Sequence, residues 1–583
     1  MLQQLVHIII CSVILIIWGL PLLLFFKATF SREKYWFNNL ASFFSFLFFL
    51  GCIALGCISS WLSFFIPLDY TYLLIFTIVL SFYLLIFQKN NITKLIKSFN
   101  LINPQFTLIH KAALIVSLLL FIYLSSLQPV HGDTQIYHMQ LIRWLSEFGI
   151  VPGIANLYPR LGLGSNWFNL ISFFYYPHVT TENFTYLNAA MVSWFFVWLF
   201  SKWHFHYKNS ININFKILSI YYFSLLLFSF FDWQLFRDSA NSTNYDFIVT
   251  AFTIIVISYF FEALVNNDER KNFSMIVFVF SLSVISFKFS GIFIGALLFY
   301  HLLFTLSTVK WHYLIIFGFI ILSPIFIRNY ITTGYPIFPL PLSIYPPDWQ
   351  FPKEMTEIFY NYILNSNKLY NTGYQFTINF SATAFNWIPY WFKGILWKHI
   401  IIFFLAISPV IFLFLHPKII SNRKRFIGFV LSLLFMICGW FFTAPDPGRF
   451  GYGVLLPSAF IFTSIIFYKF VPYKIFTLTL GLLIITITYY TYSKASILPN
   501  PYENLIRPIS YIKPGYTIYI KDSMMKYHLP KIHDLNWDHR CYFTPLPCIT
   551  QPNKYLEARG NTIKDGFRMN AYPDSIFIKN YEY

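Results

Sequence analysis

The sequence predicts an all-α polytopic membrane protein of about fourteen transmembrane helices, with an amphipathic helix in its first large loop and a small mixed α/β C-terminal tail. Three observations predict it. Of 583 residues, 57% are hydrophobic and only 11% are charged. The mean hydropathy is +0.58. A soluble domain needs about a quarter of its residues charged to cover its surface, so soluble, disordered and fibrous classes are excluded. Many apolar runs reach the roughly 20 residues that cross a hydrocarbon core. Finally, the loops between them alternate in charge.

The runs lie near 5–26, 40–64, 68–87, 110–128, 184–201, 214–231, 246–265, 273–287, 290–307, 311–327, 399–416, 426–443, 453–469 and 474–491. One set of loops is basic: Lys27, Arg32 and Lys34; Lys89, Lys94 and Lys97; Lys202 and Lys208; Arg270 and Lys271; Lys310; Lys418, Arg423, Lys424 and Arg425; Lys469 and Lys474. Positive loops stay in the cytoplasm. The N-terminus, which lacks the basic region of a signal peptide and reads as a retained first span, is then extracytoplasmic, as is the tail 492–583. Alternation also requires two short helices in 273–307, with Lys288 at their junction, below the headgroups and facing protein or water. Residues 1–109 form three N-terminal spans and 110–491 the transmembrane core. The non-cytoplasmic face collects 129–183, 232–245, 328–398 and 444–452.

The formal net charge of +18 does not indicate nucleic acid, because the basic residues sit in short clusters that orient helices. Cys11, Cys52, Cys57 and Cys438 read as small apolar residues within spans. An extracytoplasmic tail would allow Cys541 and Cys548, in CYFTPLPC, to form a local disulfide. No metal-ligand spacing is present; a divalent metal is left open, without support from the spacing.

The first non-cytoplasmic loop begins HGDTQIYHMQLIRWLSEFGIVPGIANLYPRLG. Over 133–148, Asp133, Tyr137, Gln140 and Trp144 share one helical face, which predicts an amphipathic helix lying at the membrane surface. Gly149 and Pro152 end it. Asp133 reads either as its N-cap or as a general base at the interface. FDWQLFRDSANSTNYDF holds Asp232, Arg237, Asp238 and Asp246, read as solvated loop charges with Asp246 at a helix N-terminus, or as a second carboxylate beside a site. Arg328 in IRNYITTGYPIFP and Arg449 in APDPGRFGYG read as interfacial anchors or as phosphate ligands.

This pattern resembles the GT-C superfamily of membrane glycosyltransferases, which take sugar from a polyprenyl-phosphate donor. Asp133 resembles the superfamily's first-loop acid, Asp246 its second acidic position and Lys288 in SFKFSGIF its small-residue and Lys segment. Arg328 and Arg449 resemble its Arg-Asn and late arginine segments. The likeness covers roughly 110–470. It departs in having three extra leading spans and one acid, not an Asp-Glu pair, at Gly132-Asp133-Thr134. The first-loop string and CYFTPLPC also resemble an uncharacterised bacterial membrane-protein family.

The resemblance implies an enzyme of the bacterial cytoplasmic membrane that moves a sugar from a polyprenyl-phosphate donor to an acceptor of unknown identity. Asp133 would act as base, with Tyr137, Gln140, Asp246, Lys288, Arg328 and Arg449 binding substrate. The alternatives are a transporter or flippase for a lipid-linked or anionic solute, and a polymerase or ligase of surface polysaccharide. The first predicts mid-span charges and matching halves, and polar chemistry gathered on one face favours an enzyme.

Overall fold

The computed structural model describes residues 1–29, 39–98, 106–127, 131–176, 184–267, 274–343, 345–369, 374–417, 419–470, 515–520, 525–531 and 543–581, with a few single positions between these stretches. The chain is mostly helical. Among the described residues, nine helices are long and apolar enough to cross a membrane, and three more apolar helices have 10–17 residues. Tyr186–Lys208 adds a helix of 23 residues that carries more polar groups. The run expected at 474–491 falls almost wholly outside the described residues.

Local chemistry starts many of these helices. Asn39 caps Leu40–Leu62 in a reciprocal box with Ser42, and Asp69 and Thr107 accept hydrogen bonds from the first turns of Tyr70–Phe87 and Leu108–Ser125. Packing then sorts them. Leu2–Thr29 and Leu40–Leu62 touch backbone to backbone. A β-carbon on Gly19 would lie 2.0 Å from the Leu47 carbonyl oxygen, and one on Gly51 1.8 Å from that of Leu15. Small residues permit this approach between membrane helices. Asp246–Val265 is buried almost throughout, whereas Tyr70–Phe87 turns Ile75, Val79, Phe82 and Ile86 outward, as a lipid-facing helix does.

Lys202 does not lie in a loop that orients the bundle. It is inside Tyr186–Lys208, 2% exposed, and paired with Glu262 of Asp246–Val265 at 3.1 Å. A basic residue near the end of an apolar run reads as flanking charge until its buried partner is located.

One end of the bundle carries a layer built from residues 131–174 and from the C-terminal segment. The predicted surface helix forms as a π turn, Thr134–His138, followed by the α-helix Met139–Glu147. It does not float at an interface: Tyr137, Gln140, Trp144 and Leu145 are all buried. The C-terminal segment covers it. Arg143 Nη1 donates to the Thr544 carbonyl at 2.8 Å, Phe567 N–H donates to the Pro152 carbonyl at 3.0 Å, and the Trp144 and Phe567 rings meet edge to face. Burying a side chain as large as Trp144 contributes roughly 2–3 kcal/mol.

Among its described residues the tail contains two antiparallel strand pairs, Tyr516–Ile520 with Lys526–Pro530 and Leu556–Ala558 with Phe567–Met569, and the short helix Ser575–Asn580. Cys541 and Cys548 are disulfide-bonded, with their Cα atoms 6.0 Å apart. The long segment after Trp311–Thr333 folds over the same end. Tyr335, Phe338, Phe351, Met355 and Phe359 form a small second core with Ile578 and Tyr581.

Candidate functional site

Two π turns carry the central groups. The first, Thr134–His138, follows Asp133 directly. Asp133 has helical backbone angles and caps nothing, so its carboxylate turns to other partners. The second, Pro447–Gly451, carries Arg449 and is pinned by Asp446, whose side chain accepts from the Arg449 N–H at 3.0 Å. Wide turns of this kind re-aim side chains and recur at functional sites. Thr243 holds the first turn: its N–H donates to Thr134 Oγ1 at 3.3 Å, and its hydroxyl lies 3.0 Å from His138 Nδ1. Asp246 starts the helix Asp246–Val265, where the helix dipole favours an anion. Lys288 stands in extended backbone where Met275–Phe287 gives way to the turn Phe289–Ile294.

These four residues, 316 positions apart at the extremes, meet. Arg449 bridges both carboxylates, with Nη2 2.7 Å from Asp133 Oδ2 and Nε 3.2 Å from Asp246 Oδ2. Lys288 donates to the other oxygen of Asp246, and its ammonium lies 3.4 Å from the centre of the Phe450 ring. Arg160, on the turn Pro159–Gly162, brings Nη1 to 3.6 Å from Asp133 Oδ1, and His131 Nδ1 lies 4.0 Å from Oδ2. Three cations thus face these two carboxylates, and a third carboxylate, Asp446, acts on Arg449 from its own turn. Burial alone would raise the Asp133 carboxyl, but the Arg449 and Arg160 guanidiniums outweigh it and hold the group well below the usual carboxylate range. Burial lowers His131 and pushes His138 down to about 3, so both rings are neutral.

The Arg449 side chain remains 39% exposed. Beside it lies a cavity between helices. Asp246, Lys288 and Arg449 form its polar end, and Val249, Phe293, Ile294, Met436, Trp440 and Val454 supply apolar walls.

The remaining predicted residues separate. Tyr137 is buried behind the cluster, with the Arg160 guanidinium 6.0 Å from its ring centre. Gln140 does not point into the site, because its amide donates to the Thr544 carbonyl at 3.3 Å. Arg328 lines a different cavity, next to Gly164 and Asn169. Asp232 is not a solvated loop charge. It is 1% exposed, 2.9 Å from Lys398 Nζ, and it accepts from the Tyr452 hydroxyl, one residue past the Arg449 turn.

Arg160 and Lys398 were not singled out from sequence, and His131 was read only as a flanking residue with poor metal-ligand spacing. The signal for Arg160 was an arginine between Pro159 and Gly162 in a loop that also holds the candidate base. Among the described residues, no group of three His, Cys, Asp or Glu side chains is arranged to hold a metal ion.

A comparison with curated proteins returned no match, and neither did one with solved structures. A family model does match. It spans residues 1–456 and so includes Asp133, Arg160, Asp246, Lys288 and Arg449, while leaving out the disulfide-bonded tail. With more than half its length matched, the chain belongs to the family described as Domain of unknown function (DUF8201).

Proposed function

We propose that the chain is a membrane glycosyltransferase that moves a sugar from a polyprenyl-phosphate donor to an acceptor on the extracytoplasmic side of a bacterial cytoplasmic membrane. In this reading it has about fourteen spans, with the N-terminus and the tail outside. The observation that carries the reading is the cavity whose polar end holds Lys288 and Arg449 beside Asp246 and whose walls are apolar. A polyprenyl phosphate has the same division, a phosphate head on a hydrocarbon chain. Arg449, partly exposed beside that cavity, can present guanidinium donors to an anionic ligand. The Cys541–Cys548 disulfide suits a tail outside the reducing cytoplasm.

The chemistry follows from which partners Arg449 keeps. In the transfer, an acceptor hydroxyl oxygen bonds to the anomeric carbon as the bond from that carbon to the phosphate oxygen breaks. The hydroxyl proton passes to Asp133, and the electron pair leaves with the phosphate, whose charge Lys288 and Arg449 stabilise. Arg449 is a main reason that Asp133 binds a proton weakly. A phosphate that draws Arg449 toward itself therefore raises the proton affinity of Asp133 at the moment a base is needed.

Purified protein given a labelled polyprenyl-phosphate sugar and an acceptor extract provides the test. Asp133→Asn should lower transfer by about 10²–10⁴-fold at unchanged membrane level. Transfer that persists at the wild-type rate removes Asp133 as the base.

A further inference from the structure

The cavity that Arg328 lines has no place in the chemistry above, and it poses an electrostatic problem of its own. Arg328 lies near the end of Trp311–Thr333 and is 3% exposed. Its Nη1 donates to Asn166 Oδ1 at 3.2 Å. Its Nε and Nη2 are buried without any acceptor. Among the described residues, no carboxylate pairs with it. A buried charge left without a counter-charge or hydrogen bonds is strongly destabilising, which is why such groups are normally found paired.

The surroundings are shaped around that unpaired charge. A β-carbon on Gly164 would lie 2.5 Å from Arg328 Nε, so the guanidinium occupies the space a side chain would take. The adjoining cavity is small, and it is lined by apolar residues such as Leu141, Val151 and Leu161, with Trp144, Asn169 and Arg328 supplying polar atoms. Trp144 Nε1 and Asn166 Nδ2, both N–H donors, are likewise buried without acceptors. Asn169 donates through Nδ2 to Ser63 Oγ at 3.4 Å, and its Oδ1 is left as an unpaired acceptor. One fixed positive charge, several unused N–H donors and apolar walls describe a receptor for something small, singly negative and weakly hydrated.

We propose that this pocket binds a monovalent anion of the halide class, with chloride held by Arg328 Nε and Nη2 as the counter-charge that the fold itself does not supply. The site is distinct from the Asp133 cluster and does not depend on the chain being a transferase.

The test uses the full-length protein in detergent, with thermal unfolding followed in sodium chloride, sodium bromide, sodium phosphate and sodium gluconate at equal ionic strength. Chloride and bromide should raise the unfolding temperature over gluconate by about 2 °C or more, saturating with concentration. Arg328→Met should lose that increment. Because Arg328→Met can fail to fold, Asn166→Asp provides a second arm. It places a carboxylate at an atom already 3.2 Å from the guanidinium, in a nearly isosteric side chain. Asn166→Asp should be as stable in gluconate as the wild type is in chloride, and it should no longer respond to halide. The proposal is overturned if the wild type unfolds at one temperature in all four salts, or if Asn166→Asp keeps the full halide increment. A response to phosphate larger than that to chloride, and lost in Asn166→Asp, would also overturn the halide assignment.

Discussion

The helix Asp246–Val265 carries a buried acid at each end, and the two ends differ. At one end Asp246 meets Lys288 and Arg449, next to Asp133 and Arg160. At the other, Glu262 receives Lys202 Nζ at 3.1 Å on both oxygens, His206 at 3.1 Å and the Tyr222 hydroxyl at 2.7 Å. Side-chain types are nearly the same: a carboxylate, a lysine, a histidine and a tyrosine nearby. Closure is not. Around Glu262 the ion-paired side chains are no more than 3% exposed, and one anion answers one lysine. Around Asp246 the ions form a wider network, and Arg449 is 39% exposed beside a cavity. A buried ion pair in a membrane span is by default a candidate site. The comparison teaches that burial alone does not separate a clamp from a site, whereas an opening onto a cavity does.

The largest effect should come from breaking the closed end. Glu262→Ala leaves Lys202 buried without its counter-charge and should cost about 3–5 kcal/mol, read as loss of membrane level or of unfolding temperature. The double variant Lys202→Met with Glu262→Leu removes both charges and should recover most of that loss. If the double variant is no better than Glu262→Ala, the cluster is not a sealed pair and the contrast fails.

At the open end the expected effect is on rate. Arg449→Lys keeps a positive charge but cannot bridge two carboxylates while presenting further donors to a phosphate. Transfer should fall by about 10²-fold, comparable to removing one charge-stabilising donor elsewhere, with little change in unfolding temperature. A variant that unfolds early yet retains full activity per folded molecule would make Arg449 a structural strut like Lys202.

The same contrast explains what could be read in advance. Apolar runs report spans because a hydrocarbon core demands about 20 such residues, and the break at Lys288 was legible because an alternating charge pattern required it. Asp133, Asp246, Lys288 and Arg449 stood out as charged residues at the ends of apolar runs. Gln140 was misplaced because helical periodicity reports a polar face but not what covers it, and the cover, Thr544, is 404 positions away. Lys202 was misplaced for a similar reason: its acid lies 60 positions downstream in another apolar run. The two π turns have no periodic signature at all. Pairings of this kind are set by tertiary packing, which no local pattern encodes.

The smallest effect is with pH, and it should mark the open end. His138 is buried, its Nδ1 lies 3.0 Å from the Thr243 hydroxyl, and Asp133, His131, Asp246 and Arg449 act on it. Burial lowers its pKa from about 6.5 to about 3. The unfolded chain therefore takes up a proton below pH 6.5 that the folded chain refuses, so stability falls as pH drops from 6.5 toward 3, by no more than about 1.4 kcal/mol per unit from this group. Burial lowers His131 as well, with the same sign. Asp133, with its folded pKa depressed, contributes stability above its ordinary value of 3.8 and loses it only below that. Between pH 6.5 and 5 the histidines therefore act alone at this end. His138→Gln can keep a hydrogen bond to Thr243 without titrating, so its unfolding temperature should decline less steeply than the wild type's over that range. Parallel slopes would mean that the ring is not held neutral, and that the first π turn is looser than its contacts with Thr134 and Thr243 make it.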